Sequence, residues 1–288
     1  MNNELYDFSM LPRRPHLQLP NGARMAFWVG VAVEHYFIDR PGMSITPGSA
    51  SFVPDPLNAG WRDYGLRVGI WRMSDIFQQH GVPMTALLNS DVCKHYPDVI
   101  AEGVRRKWEW VAHGHNNNLI HQGVSVDEER KLLQEMHATI RGATGSDPKG
   151  WIGPYLSETF ETPNLLAELG YNHILDWCAD DQPFPMNVKT GKMVSVPYSI
   201  EINDATLFLG RNLAGRDFED LIVDQFETLY AESANSARVM ALGLHPFITG
   251  QPFRSKYLER AIARIKKHEG VWFTTSGAIA DWYVAQLK

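Results

Sequence analysis

The chain has 288 residues, 44% hydrophobic and 21% charged, with a net charge of −6 and an isoelectric point near 6.0. That length can bury a substantial core in one large α/β domain or two small ones, and the acidic balance gives no footprint for nucleic acid or an anionic membrane. No segment approaches the roughly 18 apolar residues of a membrane span, and the N-terminus lacks an apolar core of signal-peptide length. Two cysteines, Cys93 and Cys178, share no metal-type spacing, which fits a reduced cytoplasmic protein.

Residues 1–22, with Pro12, Pro15, Pro20 and Gly22, read as an extended arm suited to packing on a neighbour. Met25 to Val33 is nearly all apolar, as a strand covered on both faces requires, and it ends at Glu34-His35-Tyr36. Residues 41–61 are rich in Pro, Gly and Ser and read as a long loop, a feature usually either functional or disordered. Arg67 to His80 carries a helical stripe of Ile70, Met73 and Phe77, closed by Gly81-Val82-Pro83. Met84 to Leu88 is the next strand, Pro97 to Arg106 a helix, and Trp108 to Ala112 the strand that delivers His113. Ser125 and Glu128 have capping-box spacing ahead of a helix whose inner face is Leu132, Met136 and Ile140.

Gly150 to Gly153 is a short strand, Pro163 to Leu169 a helix, and Asn172 to Leu175 a strand ending at Asp176. Val194 to Val196 is a further strand candidate. Phe218 to Glu232 reads as helix, and Arg238 to Leu244 as a buried strand ending at His245. Lys256 to Lys267 is helix, Val271 to Thr274 strand, and Ser276 to Leu287 a closing amphipathic helix. The alternation, with no linker-like shift after residue 61, predicts one catalytic domain over residues 23–288. Its sheet is mostly parallel, open or closed into a barrel of about seven strand–helix units.

Several strands end in ionisable groups: Glu34-His35, His113, Asp176 and His245. On parallel strands these share one rim, the edge where chemistry collects in α/β folds. A carboxylate and two imidazoles around one pocket suit hydrolysis of an unreactive C–N bond. That reaction needs activated water, a proton for the leaving nitrogen and a stabilised oxyanion. The densest stretch is 109–121, where Gly114 lets the backbone turn directly after His113. His113 and Asn117, four apart, with Glu34 from the first strand, form a candidate metal set, although asparagine is a weak zinc ligand. The spacing leaves open whether His115 or His121 serves instead. Tyr64, Tyr155, Trp177 and Phe247 are candidate aromatic walls. No phosphate-cradling loop and no Gly-x-Ser-x-Gly elbow appears.

HGHNN at 113–117, the DW at 176–177 and GLH at 243–245, after a first strand with an acidic end, resemble the polysaccharide deacetylase family. Tyr64-Gly65 followed by RVGIWR at 67–72, LDWCADDQPF at 175–184, PYSIEIND at 197–204 and GLHPFITGQPFR at 243–254 resemble its intracellular allantoinase-like and cyclic-imide-hydrolase-like branch. The resemblance implies a distorted (β/α) barrel of deacetylase type with fewer than eight strands, hydrolysis of non-peptide C–N bonds, and commonly a homotetramer. It implies Glu34 as the surviving carboxylate, His113 as an imidazole ligand and His245 as general acid. One divalent metal, zinc first, would be held by Glu34, His113 and Asn117.

This chain departs from the carbohydrate deacetylases in three places. Val33-Glu34-His35 stands where they have two aspartates, Asn117 where they have a second histidine, and Gly153-Pro154-Tyr155 where they have an arginine. The expectation is an enzyme that opens a small cyclic amide, imide or ureide through Glu34 and His245, with or without a metal. One rival is a metal-dependent N-deacetylase of an amino sugar or short oligosaccharide. Another is a catalytically inactive barrel that binds a small ligand.

Overall fold

The computed structural model describes residues 3–287. In chain order the elements are β1 (Met25–Val33), α1 (Pro56–Tyr64), α2 (Ile70–His80), β2 (Met84–Leu88), α3 (Ser90–His95), α4 (Pro97–Arg105), β3 (Glu109–Ala112) and α5 (Val126–Thr144). Then come β4 (Gly150–Trp151), α6 (Thr162–Glu168), β5 (His173–Ile174), β6 (Phe184–Met186), β7 (Met193–Ser195) and α7 (Gly215–Glu232). The chain closes with β8 (Arg238–Leu244), α8 (Pro252–Ile265), β9 (Val271–Phe273) and α9 (Ser276–Val284).

The strands make one sheet in the order β6-β7-β5-β4-β3-β2-β1-β8, every pairing parallel except β6 with β7. One edge of β1 is shared, with β9 against its first three residues and β2 against its last five. The gap between β8 and β6 is spanned by a backbone hydrogen bond from Val239 to the Asp181 carbonyl, 2.8 Å, and by an Asn203–Gly243 bridge. The result is a distorted deacetylase-type (β/α) barrel.

Alternation along β1 divides the core. Met25, Phe27, Val29, Val31 and Val33 face the helices, while Ala26 and Trp28 point inward with Leu87, Val111 and Val196. Because the strands run parallel, Val33, Leu88, Ala112 and Leu244 all end at one rim.

The strand count is nine, above the expected seven or so; β7 coincides with the candidate at 194–196, whereas its antiparallel partner β6 is hidden by Pro185. The predicted loop at 41–61 ends early. Pro56 occupies the first turn of α1 and the Asp55 carboxylate caps the Asn58 amide at 3.3 Å. A π-turn at Gly65–Gly69 carries α1 into α2 without a break, so the predicted start at Arg67 is late. On α5 the buried face is Leu133, Met136 and Ile140, so Leu133 replaces the expected Leu132, which is only half-buried. Helices α7 and α8 start earlier than the apolar stripe indicated, at Gly215 and Pro252, and α9 stops at Val284.

The N-terminal arm lies on its own barrel. Arg14 pairs with Asp180 at 2.7 Å, Tyr6 stands edge-on to Trp177 at 5.4 Å, and Leu19 joins the inner core. No helix among the described residues is long and apolar enough to cross a membrane.

The π-turn matters because bare backbone lies against the loop after β8. A Cβ on Gly69 would sit 2.1 Å from the Pro246 carbonyl oxygen, and one on Gly65 3.0 Å from the Phe247 nitrogen. Gly69→Ala is therefore expected to cost about 1–3 kcal/mol through overpacking. A thermal melt of the variant checks this; an unchanged midpoint would contradict the close approach.

Candidate active site

The rim gathers one group from each of four strand ends: Glu34 after β1, Asn89 after β2, His113 after β3 and His245 after β8. Asn89 sets the order. Its Oδ1 accepts the His35 backbone N–H at 2.9 Å, so its amide nitrogen faces away and donates to the His113 carbonyl and to Asn117 Oδ1 at 3.1 Å. With its oxygen engaged, Asn117 turns its NH2 toward the carboxylate, donating to Glu34 Oε1 at 2.6 Å and to the Tyr36 hydroxyl at 3.1 Å. Tyr36 in turn donates to Glu34 Oε2 at 3.0 Å.

Both imidazoles are held in one tautomer. His113 Nδ1–H donates to the Ile152 carbonyl at 2.7 Å, which leaves Nε2 3.4 Å from Glu34 Oε1. His245 Nδ1 donates to Asp204 Oδ1 at 2.6 Å, and its Nε2 lies 3.8 Å from the same Glu34 oxygen. Asp204 is fully buried, and its second oxygen accepts from the His245 backbone N–H at 2.7 Å and the Thr249 hydroxyl at 2.6 Å.

The electrostatics follow from this packing. Burial opposes charge on His245, but the carboxylates of Asp204 and Glu34, with the Asp204 hydrogen bond, outweigh it and push the ring up to about 9. Burial likewise opposes charge on Glu34. The charge on His245, the adjoining His113 ring and the hydrogen bond from Tyr36 prevail, holding it below the usual glutamate value. At neutral pH the pair is a buried imidazolium beside a buried carboxylate, which is an acid already loaded with its proton.

The pocket above these groups is about 190 Å3 and is lined by Glu34, His113, Asn117, Tyr155, Asn203 and His245, among others. Met43, from the long loop, also reaches its wall and is fixed by Arg62 donating to the Met43 carbonyl at 2.8 Å. Tyr155 is presented by a turn in which Tyr155 and Leu156 take left-handed φ of 57° and 54°. Asp176 braces that turn by accepting the Gly153 N–H at 2.7 Å. Burial and neighbouring Glu158 hold the Asp176 carboxyl far above its usual range.

Of the residues singled out from the sequence, Glu34, His113, Asn117, His245 and Tyr155 converge here. Phe247 lines the adjoining cavity and packs on Trp61 at 4.8 Å. Tyr64 lies outside both, its hydroxyl accepting from Arg72 at 2.8 Å. Trp177 donates to Glu158 at 3.0 Å and faces a separate cleft beside Leu5. His121 lies 3.6 Å from Glu129 and against the Trp151 ring, away from the pocket, and His115 does not line it either. Sequence reasoning missed Asp204, Asn89 and Tyr36. Tyr36 follows the acidic strand end by two residues and was within reach of that logic; Asp204 sits in a non-periodic segment 41 residues before His245.

A divalent metal, as the family resemblance implies, meets two donors of the right kind in Glu34 and His113. The third position offers amide hydrogens, because Asn117 Oδ1 is committed to Asn89. His245 is tied through Nδ1 to Asp204, and its Nε2 stands 3.8 Å from Glu34 Oε1. This set does not make a metal site, and no three His, Cys, Asp or Glu cluster as one among the described residues.

Fold and strand-end site together define a distorted (β/α) barrel whose rim presents a carboxylate and two imidazoles to one pocket. Residues 62–174 match the polysaccharide deacetylase family profile. The crystal structure of PuuE allantoinase superposes with a TM-score of 0.85, is 28% identical, and 95% of each chain is covered. A probable polysaccharide deacetylase from Pseudomonas aeruginosa PAO1 gives 0.86 at 25% identity, again over 95% of both. A peptidoglycan deacetylase of Helicobacter pylori is 24% identical over 261 residues, 79% of this chain and 87% of that one. The chain is thus similar to polysaccharide deacetylases, with an allantoinase among its structural neighbours.

If Asp204 sustains the charge on His245, Asp204→Asn removes that support. Activity that needs the imidazolium is lost in the parent as pH rises through about 9. In the variant that limb moves down toward the ordinary value of 6.5. The same proton stabilises the fold: the contribution is full below about 6.5 and lost as pH rises through the folded value. A pH–rate profile and melts at several pH values check both; an unmoved alkaline limb would contradict the pairing.

Proposed function

We propose that this chain hydrolyses a C–N bond of a small cyclic amide, imide or ureide. The observation that carries the reading is the small pocket in which an imidazolium and a carboxylate face the same space, with an amide where a second imidazole ligand is expected. Its volume of about 190 Å3 lies below the roughly 300 Å3 at which pockets for drug-sized ligands begin. Met43 and the loop behind it narrow the space a polymer chain would need.

The chemistry divides between two side chains. Water between Glu34 and the substrate attacks the carbonyl carbon and gives a proton to Glu34 as the new C–O bond forms. His245 Nε2 passes its proton to the nitrogen as the C–N bond breaks. The transfers support each other, because Glu34 is a weak base only while the imidazolium stands beside it. As His245 gives up its proton, the carboxylate loses its cation and becomes more basic. Glu34 then returns its proton toward His245 directly or through water, and the site is reset. Asn117 and Tyr36 keep the carboxylate oriented throughout.

The names of the deacetylase relatives favour a second reading, N-deacetylation of an amino sugar. Ring opening of hydantoin- and imide-type compounds, assayed beside acetate release from N-acetylated amino-sugar oligomers, separates the two. The expected result is ring opening without acetate release. Glu34→Gln is expected to lower kcat by about 10²–10⁴ with the melting temperature preserved. Acetate release alone would contradict the reading, and retained turnover in the variant would remove Glu34 from the mechanism.

A further inference from the structure

The proton transfers described above use one side of the catalytic pocket. Tyr198 and Asn203, 7% and 5% exposed, line the same pocket and have no part in them.

The hydrogen bonds of this pair do not close. The Asn203 amide nitrogen donates to the Tyr198 hydroxyl at 3.2 Å, and Asn203 Oδ1 accepts the Ala205 backbone N–H at 3.0 Å. The hydroxyl is thus an acceptor there. Among the described residues its own hydrogen and the second amide hydrogen of Asn203 meet no acceptor. Burial pushes the Tyr198 phenol well up, so the hydroxyl keeps that hydrogen. An unmet buried donor costs about 1–3 kcal/mol.

Strand β8 is shaped around the pair. Gly243 shares the inward parity of Val239, Ala241 and His245. A Cβ there would overlap both the Tyr198 hydroxyl and the Asn203 amide nitrogen. Glycine inside a strand costs about 0.5–1 kcal/mol relative to alanine. At 243 it gives the two polar atoms their place on the inner wall. Gly243 precedes His245 by two residues, so the pair lies about 6–7 Å along the strand from the acid.

Ala32, Leu87 and Ile152 supply apolar wall to the same pocket. An acid and a carboxylate therefore stand at one end, two free donors at the other, with apolar surface for the face of a ring. Two hydrogens match the two lone pairs of a neutral carbonyl oxygen.

We propose that Tyr198 and Asn203 bind the carbonyl that is not attacked, which makes the substrate a ring with two carbonyls flanking an N–H. A cyclic imide or cyclic ureide has that second oxygen; a simple lactam lacks it. The assignment rests on the hydrolase reading for which carbonyl is attacked. With the scissile C–N bond held between Glu34 and His245, the second oxygen reaches inward to the Tyr198 O–H and the Asn203 amide hydrogen.

Succinimide and 2-pyrrolidinone, the same ring with two carbonyls and with one, are the probes. Each is titrated by calorimetry into Glu34→Gln, where hydrolysis does not consume it, and into Glu34→Gln with Tyr198→Phe. Melting curves report folding. Succinimide is expected to bind at least about tenfold more tightly than 2-pyrrolidinone. Tyr198→Phe is expected to weaken succinimide about tenfold and leave 2-pyrrolidinone unchanged. In turnover of succinimide, Tyr198→Phe alone is expected to raise KM with kcat little changed.

Equal affinity for the two probes, no saturable binding, or an equal loss of both on substitution would overturn the proposal. A fall in kcat at unchanged KM would overturn it too, by putting the hydroxyl at the attacked carbonyl. Absence of ring opening with the calorimetric pattern intact would remove the hydrolase reading and keep the donor pair as a reader of the second carbonyl.

Discussion

A buried, ionised carboxylate is the constraint on which this structure turns. Glu34 is 8% exposed at the C-terminal rim of the strands, where an unpaired charge costs several kcal/mol. Its charge is tolerated because Asn117 and Tyr36 direct hydrogens at it and His245 sets positive charge beside it, with the His113 ring packed 3.4 Å away. These groups come from the ends of β1, β3 and β8, so the compensation exists only once the parallel sheet has closed. Asn89, at the end of β2, ties the pieces together by fixing which way the Asn117 amide points. Fold and site are therefore not separable here. Loss of the sheet's register would strand the charge.

The same arrangement bears on chemistry. A metal centre needs lone pairs converging on one point, whereas this rim directs hydrogens at a carboxylate from Asn117 and from the His245 imidazolium. Asp204 is the second anchor: it satisfies both the ring and the backbone of His245, so the acid is placed and charged by one residue. Asp176 works at one further remove, its carboxyl pushed up by burial and by Glu158 while it holds the Gly153–Ser157 turn that presents Tyr155. Acidic side chains thus do three different jobs within one barrel rim, set by what each is buried against.

The strands β1, β3 and β8 were legible because sheets covered on both faces demand unbroken apolar runs. The same logic located Glu34, His113 and His245 at their C-terminal ends. Helix α1 was not legible: Pro56, Asn58 and Gly60 read as loop, and only the Asp55 cap and the contacts of Asn58 and Arg62 make the segment helical. Strand β6 was masked by Pro185. Tyr64 and Trp177 were picked as aromatic surfaces near motif segments, yet which face of a turn an aromatic occupies is decided by packing. Arg72 and Glu158 claimed them instead. Asp204 stands just ahead of a second π-turn, Ala205–Gly210, in a stretch with no helical or strand period, and only tertiary closure brings it to His245.

The central claim is that Glu34, Asn117 and His245 work as a proton-transfer site with no resident metal ion. Elemental analysis of protein purified without a histidine tag, run beside turnover of a cyclic amide or ureide before and after chelation, tests it most directly. The account predicts well under one metal ion per chain and turnover unaffected by the chelator. About one zinc or similar ion per chain, with activity lost on chelation and restored by the metal, would contradict it.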